Sequence, residues 1–293
     1  MKINRIVAAL LGCIILFASN RESLLAKIVW QEEKKEANQS PDATPAHPTV
    51  ASPLADKTLE QVYRLTTKAF SKGEYPLAHE LVATLCIRAP NEFRFHFLKG
   101  EILFAQGQMA ESVAAFDDVI RLQPEYEPQL WQRGLALYYA GRFEDGVKQF
   151  ETHQTVNSQD VENAVWHLLC AARISNVQTA REKLIPIKHD SRVPMSEIYE
   201  MFAGRVKADE VLAAAEKIPS TAASGSDRQS LQMYYAHLYV GLYQEMMGEK
   251  NESLTSMKRA VKINPLAKDN FMGQVAAVHV KLRETMNNLV PAK

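Results

Sequence analysis

The chain has 293 residues, with 34 Lys plus Arg set against 34 Asp plus Glu and a formal net charge of zero. Such a balance gives no general electrostatic reason to bind nucleic acid, whose affinity rests largely on neutralising phosphates. The three cysteines, Cys13, Cys86 and Cys170, form neither a disulfide framework nor a C-x-x-C pair. Cys86 and Cys170 read instead as small buried residues on helices.

Lys2 and Arg5 precede an uninterrupted apolar run from Ile6 to Ala18. A basic flank followed by a short apolar stretch is the pattern of an export signal, too short to cross a bilayer comfortably. Three fates of this segment stay open. Leu10-Leu11-Gly12-Cys13 resembles a bacterial lipobox, which would make Cys13 a lipidation site, although the apolar run continues past it through "IILFA". Cleavage near Ala18 or Ala26 lacks a clean A-x-A pair, because Leu16 and Leu24 stand at the −3 positions. In a retained anchor, "LLAKIVW" adds further apolar surface. All three put the folded part outside the cytoplasm, periplasmic or membrane-anchored in a bacterium, with residues 1–30 as signal or anchor. Residues 31–56, "QEEKKEANQSPDATPAHPTVASPLAD", hold four prolines and few large apolar residues. They read as a disordered tether, with a reach on the order of 30 Å for a flexible coil.

From residue 57 the chain is periodic to about residue 290. Gly100, Gly107 and Phe116 recur 34 positions later as Gly134, Gly141 and Phe150. Gly241, Gly248, Met257 and Pro265 repeat the pattern near the end, and Gly73 with Pro90 opens it. In each copy the second glycine suits a helix C-terminus and tight turn, while the proline ends the following helix. Two short amphipathic helices per copy are therefore predicted, with Phe116, Phe150 or Met257 filling the gap toward the next copy. Repeats are placed near 59–92, 93–126, 127–160 and 234–267, with a degenerate copy at 161–193 that has lost its glycines. Residues 194–233 read as an insertion of two helices and a loop. A terminal capping helix is expected at 269–289, since such arrays need a polar end.

The order glycine, aromatic, small residue, aromatic, proline over 34 residues resembles the tetratricopeptide repeat. The likeness covers residues 59–158 and 234–267. Leu130 stands where that family has tryptophan, and Gly146 and Ser253 replace its small alanine. The resemblance implies an all-α fold, a right-handed α-solenoid of helix-turn-helix repeats whose first helices line a concave face that holds a partner peptide. Aligned by the glycines, that face would carry Tyr63, Phe97, Phe104, Trp131, Leu135, Tyr138, Tyr139, Tyr235, Leu238 and Leu242. Repeats that grip a terminal carboxylate carry Lys and Asn there, so a carboxylate clamp is disfavoured. Exposed aromatics would favour an apolar partner segment. Alternatively, some of these rings pack between helices or lie under the terminal helix or a second copy of the chain.

No phosphate-binding glycine motif, H-E-x-x-H or G-x-S-x-G is present, and the histidines fall singly in helical patterns. No metal and no cofactor is expected. "RGLALYYAGR", "FAGRVKADEVL" and "YYAHLYVGLYQEMMGEKNESLTSMKRAV" further resemble the bacterial cell-envelope lipoproteins of the NlpI type. That likeness spans roughly 95–265 and implies an exported, often dimeric adaptor joining an envelope protease to cell-wall hydrolases. The first reading is thus a non-enzymatic, membrane-tethered scaffold that binds protein. Two others stand beside it: a hydrolase hidden in 194–233, whose main polar groups are Glu197, Glu200, Asp209 and Glu210, and a purely structural dimerisation module.

Overall fold

A computed structural model describes the backbone of residues 54–217 and 225–289, with side chains for 54–217 and 227–286. The apolar N-terminal segment with Cys13, nearly all of the tether and most of the 219–227 loop lie outside these residues. The chain divides into two compact units, 1–64 and 65–293. In the first, helix α1 (Leu59–Ser71) begins with a reciprocal cap. The Thr58 amide donates to Gln61 Oε1 at 2.8 Å, and the Gln61 amide donates to Thr58 Oγ1 at 3.2 Å.

Every regular element among the described residues of the second unit is a helix, and the helices form an α-solenoid of antiparallel pairs. After the C-terminal turns of α1 come α2 (Tyr75–Arg88), the pair α3 (Phe93–Ala105) and α4 (Met109–Leu122), and a 3₁₀ turn at Pro124–Gln129. The pair α5 (Trp131–Tyr139) and α6 (Phe143–Gln154) follows, then α7 (Val161–Ile174) and the short α8 (Val177–Glu182). Helices α9 (Met195–Phe202) and α10 (Ala208–Glu216) precede α11 (Gly225–Met246), α12 (Lys250–Ile263) and α13 (Phe271–Leu289).

Gly107 and Gly141 show why the pairs turn where they do. Both sit at φ +76°, a conformation in which a side chain would strain the backbone. The Gly141 amide donates to Tyr138 O at 3.1 Å and the Arg142 amide to Leu137 O at 2.9 Å, satisfying carbonyls at the end of α5. The other repeated glycines serve close packing. A Cβ on Gly100 would stand 2.7 Å from Phe116 Cε1, and one on Gly134 would stand 2.5 Å from Phe150 Cζ. The repeated phenylalanines therefore fill the gap inside their own helix pair, not the gap toward the next copy. Close approach of the two helices is what leaves the ring its slot.

Other departures from the sequence reading have local causes. Helix α8 is only six residues long, and the chain then runs without regular structure to Pro194. Pro186 cannot extend the helix, and Gln159 Oε1 accepts from the amides of Lys188 at 2.9 Å and His189 at 3.2 Å, holding the segment in its own path. Helix α11 starts at Gly225 and not near Tyr234, since no Pro or Gly interrupts residues 227–240. Cys170 is buried as expected, but Cys86 is only half-buried.

The terminal helix is the main surprise of topology. Beyond packing on α12, it turns back against α3, more than 160 residues earlier in the chain. Its stripe Phe271, Val275, Val278 and Leu282 faces the repeats. Polar bonds fix the turn: Tyr75 Oη donates to Lys268 O at 3.1 Å, and Lys281 Nζ donates to Gln106 O at 2.7 Å, at the C-terminal end of α3.

Candidate protein-binding face

The first helices of successive pairs, α3, α5, α7 and α11, supply the concave face, and α13 lies in it. Phe104 stacks on Phe271 with ring centroids 4.3 Å apart, and Trp131 meets the same ring edge-on at 5.4 Å. Tyr139 meets Phe104 edge-on at 6.0 Å, and its hydroxyl lies 3.2 Å from His279 Nδ1. Tyr234 donates its hydroxyl to Met272 O.

Of the two readings of the aromatic row, exposure along a groove or packing between helices and under the terminal helix, most of the row follows the second. Phe104, Leu135, Tyr138, Leu238 and Leu242 are enclosed in the core, Phe104 under Phe271 of α13 and Tyr138 against Trp166 of α7. Phe97, Trp131, Tyr139 and Tyr235 are half-buried and pack on that core. Phe97 meets Phe116 edge-on at 5.9 Å, and Tyr235 stacks on Tyr239 at 6.4 Å. Tyr63 is exposed on α1, in the other unit.

One ion pair seals the far end of α13. Arg283 Nε bonds Glu245 Oε1, both largely enclosed, and Tyr138 donates to Glu245 Oε2 at 3.0 Å. Burial alone would raise the Glu245 carboxyl, but the Arg283 bond and the neighbouring His279 hold it below its ordinary value. Burial pushes His279 down to about 4, so it is neutral at physiological pH. At the near end, Glu101 on α3 is pushed up to about 8, first by burial and then by Asp269, while Gln132 donates to it.

What α13 leaves open is a cleft of about 580 Å³ between α5 and α7, which the sequence reading reached only through Trp131 and Leu135. Tyr126, Trp131 and Met272 form apolar walls, and Gln132, Asn163 and Trp166 lie along its lining. Its rim is charged. Arg192 Nη2 lies 2.6 Å from both Asp160 Oδ1 and Asp190 Oδ2, and Nη1 bonds Glu162 Oε2. Tyr239 donates to Glu162 Oε1 at 2.7 Å. Burial lifts the Glu162 carboxyl above its usual range despite Arg192. At Asp190 burial acts the same way, but the hydrogen bonds from Arg192 win and its carboxyl stays low. Arg192 was missed because it falls in a non-periodic stretch, 30 and 32 residues from the acids it joins.

Two of the four acids singled out in 194–233, Glu200 and Glu210, have structural work within their own segment. Glu200 pairs with Arg205, and Glu210 Oε1 accepts the Lys207 amide at 3.0 Å at the start of α10.

Residues 63–127 match the tetratricopeptide repeat family model. Among solved structures, the fold is similar to a tetratricopeptide repeat protein from Parabacteroides merdae, at 13% identity and TM-score 0.46 over 88% of this chain and 98% of that one. It is also similar to MamA from Desulfovibrio magneticus, at 11% identity and TM-score 0.43 over 72% of this chain and 96% of that one. Residues 63–127 thus carry tetratricopeptide repeats within the helical solenoid, an architecture whose concave surface generally serves to bind other proteins.

Proposed function

We propose that this protein is a non-enzymatic scaffold of the bacterial cell envelope, exported and tethered by its N-terminal segment, that holds a partner protein against its concave face. One observation carries this reading. The concave face already takes an amphipathic helix, its own α13, through stacked rings and a buried ion pair, and beside that helix it keeps an open cleft. A surface with this chemistry suits helix-in-groove and peptide recognition. The envelope protease and cell-wall hydrolases implied by the NlpI-type resemblance are the partners to try first, and a homodimer belongs to the same proposal. Among the described residues no helix is long and apolar enough to cross a membrane, so the proposed tether rests on residues 1–30.

The test is capture from the envelope fraction by three forms of the chain. The wild type and Ile87→Ala, altered at a side chain 79% exposed on α2, should recover the same protein. Tyr126→Ala with Trp131→Ala, which strips two cleft walls, should lose it about tenfold or more. Equal recovery by all three forms would remove the concave face from the function.

A further inference from the structure

Three residues lining the cleft between α5 and α7 each have a buried polar atom without a partner among the described residues: Gln132 Oε1, Asn163 Oδ1 and Trp166 Nε1. Their residues are only 8%, 3% and 1% exposed. Buried polar groups are nearly always paired, so three of them along one cleft need an explanation. The amide orientations are set by other bonds. Asn163 Nδ2 donates to Phe150 O at 3.2 Å and Gln154 Oε1 at 2.9 Å, while Gln132 donates to Glu101. Both side chains therefore present carbonyl oxygens to whatever enters, and the indole presents one N–H.

The rim adds charge. Among the described residues Asp160, Glu162 and Asp190 share one cation, Arg192, so carboxylates are in excess there. An occupant must bring donors for two separated carbonyls, positive charge for the rim, apolar stem for the walls, and an acceptor for the indole. A guanidinium supplies five donors in a planar fork, and aromatic rings such as Trp131 and Tyr126 suit its face. A main-chain carbonyl supplies the acceptor, which a free cation lacks. The volume lies within the range of about 300–1,000 Å³ typical of ligand sites, enough for a side chain with its flanking backbone.

We infer that this cleft takes an arginine side chain and the adjoining main-chain carbonyl of an extended segment of the partner protein. The inference rests on the scaffold reading and gives the partner a stated chemistry. It also places Gln132, Asn163 and Trp166 as recognition groups that the repeat pattern does not demand.

The test titrates the full chain, in mild detergent, with the blocked tripeptide Leu-Arg-Leu and with its citrulline and glutamate counterparts. Binding is followed by the indole N–H resonances. The arginine peptide should move the Trp166 resonance and bind at least about tenfold more tightly than the citrulline peptide, with weaker binding as salt rises. Glu162→Gln, which keeps an acceptor for Tyr239, should lose about tenfold in affinity for the arginine peptide alone. Equal binding of arginine and citrulline peptides, or an unmoved Trp166 resonance at saturation, would overturn the inference. Envelope capture separates the two readings. A Glu162→Gln chain that retains its partner while the wild type ignores the arginine peptide sinks this inference and spares the scaffold. A wild type that binds the arginine peptide through Trp166 but captures no partner supports the cleft and counts against the scaffold.

Discussion

Glu101→Gln should stabilise the protein, and more so as the pH rises. Glu101 lies on α3 beside Asp269, in the turn that leads into α13, and its carboxyl is pushed from 4.5 up to about 8 by burial and by that neighbour. A group whose folded pKa is raised contributes stability that is fully present below its unfolded pKa and is lost as the pH rises through the folded one. For Glu101 the window runs from 4.5 to about 8. Each unit of difference is about 1.4 kcal/mol, so at pH 7 the loss is about 3 kcal/mol, and about 2 after discounting the part of the side chain that water still reaches. Glutamine keeps an acceptor for Gln132 and cannot ionise. For a folded unit of this size about 2–4 °C accompanies each kcal/mol, so Glu101→Gln should melt about 4–8 °C above wild type near pH 7. The gap should be largest near pH 9 and vanish near pH 4.5. Thermal unfolding by far-UV circular dichroism across that range measures it. Parallel melting profiles for the two proteins would refute the burial argument.

Three further outcomes follow from the same contacts. His279, pushed down to about 4 by burial, has its full stability above pH 6.5 and loses about 3 kcal/mol as the pH falls through 4, so His279→Gln should flatten the acid side of a urea-unfolding series. Arg283→Ala leaves Glu245 enclosed without its cation and should cost about 3–5 kcal/mol, with faster amide exchange concentrated in α13. Gly134→Ala places a Cβ 2.5 Å from the Phe150 ring and should cost about 1–3 kcal/mol, largely recovered by Phe150→Leu, whereas Gly141→Ala meets no atom within 4 Å and should cost only the strain of its backbone, about 1–2 kcal/mol, with no rescue from Phe150→Leu.

The fold was legible where one residue type has one structural meaning. Gly107 and Gly141 mark turns because only glycine sits easily at φ +76°, and Gly100 and Gly134 mark close helix approach because a ring stands against each. The path of α13 was not legible in this way. Its stripe of Phe271, Val275, Val278 and Leu282 announces an apolar face, but hydrophobic burial is non-directional and does not say which surface covers it. The same limit explains the aromatic row. Glycine alignment puts Phe104 and Tyr138 on first helices, but Phe271 of α13 covers the one and Trp166 of α7 packs on the other. Trp131 of that row both touches α13 and lines the open cleft. The charged rim was hidden for a different reason. Arg192 and its acids are joined by folding across about thirty residues, through a segment without periodicity.

Glu101 and His279 also act on one element, at its start and at its middle. Glu101 faces Asp269 just before α13, and His279 sits on α13 against Tyr139 and the Glu245–Arg283 pair. Ionising either group is opposed by burial, Glu101 on the basic side and His279 on the acid side. Between pH 4.5 and 6.5 the two contributions therefore slope in opposite directions and nearly cancel in the wild type. Each single variant should uncover the slope of the remaining group. Glu101→Gln should gain stability as the pH rises through that window, and His279→Gln should lose it. The double variant should lie level again, displaced upward by about the sum of the two effects, since the two groups share no partner among the described residues. Stability differences among the four proteins at fixed pH isolate these terms from the other carboxylates. Single variants whose slopes share a sign would mean that α13 is not held in the concave face through these two buried groups.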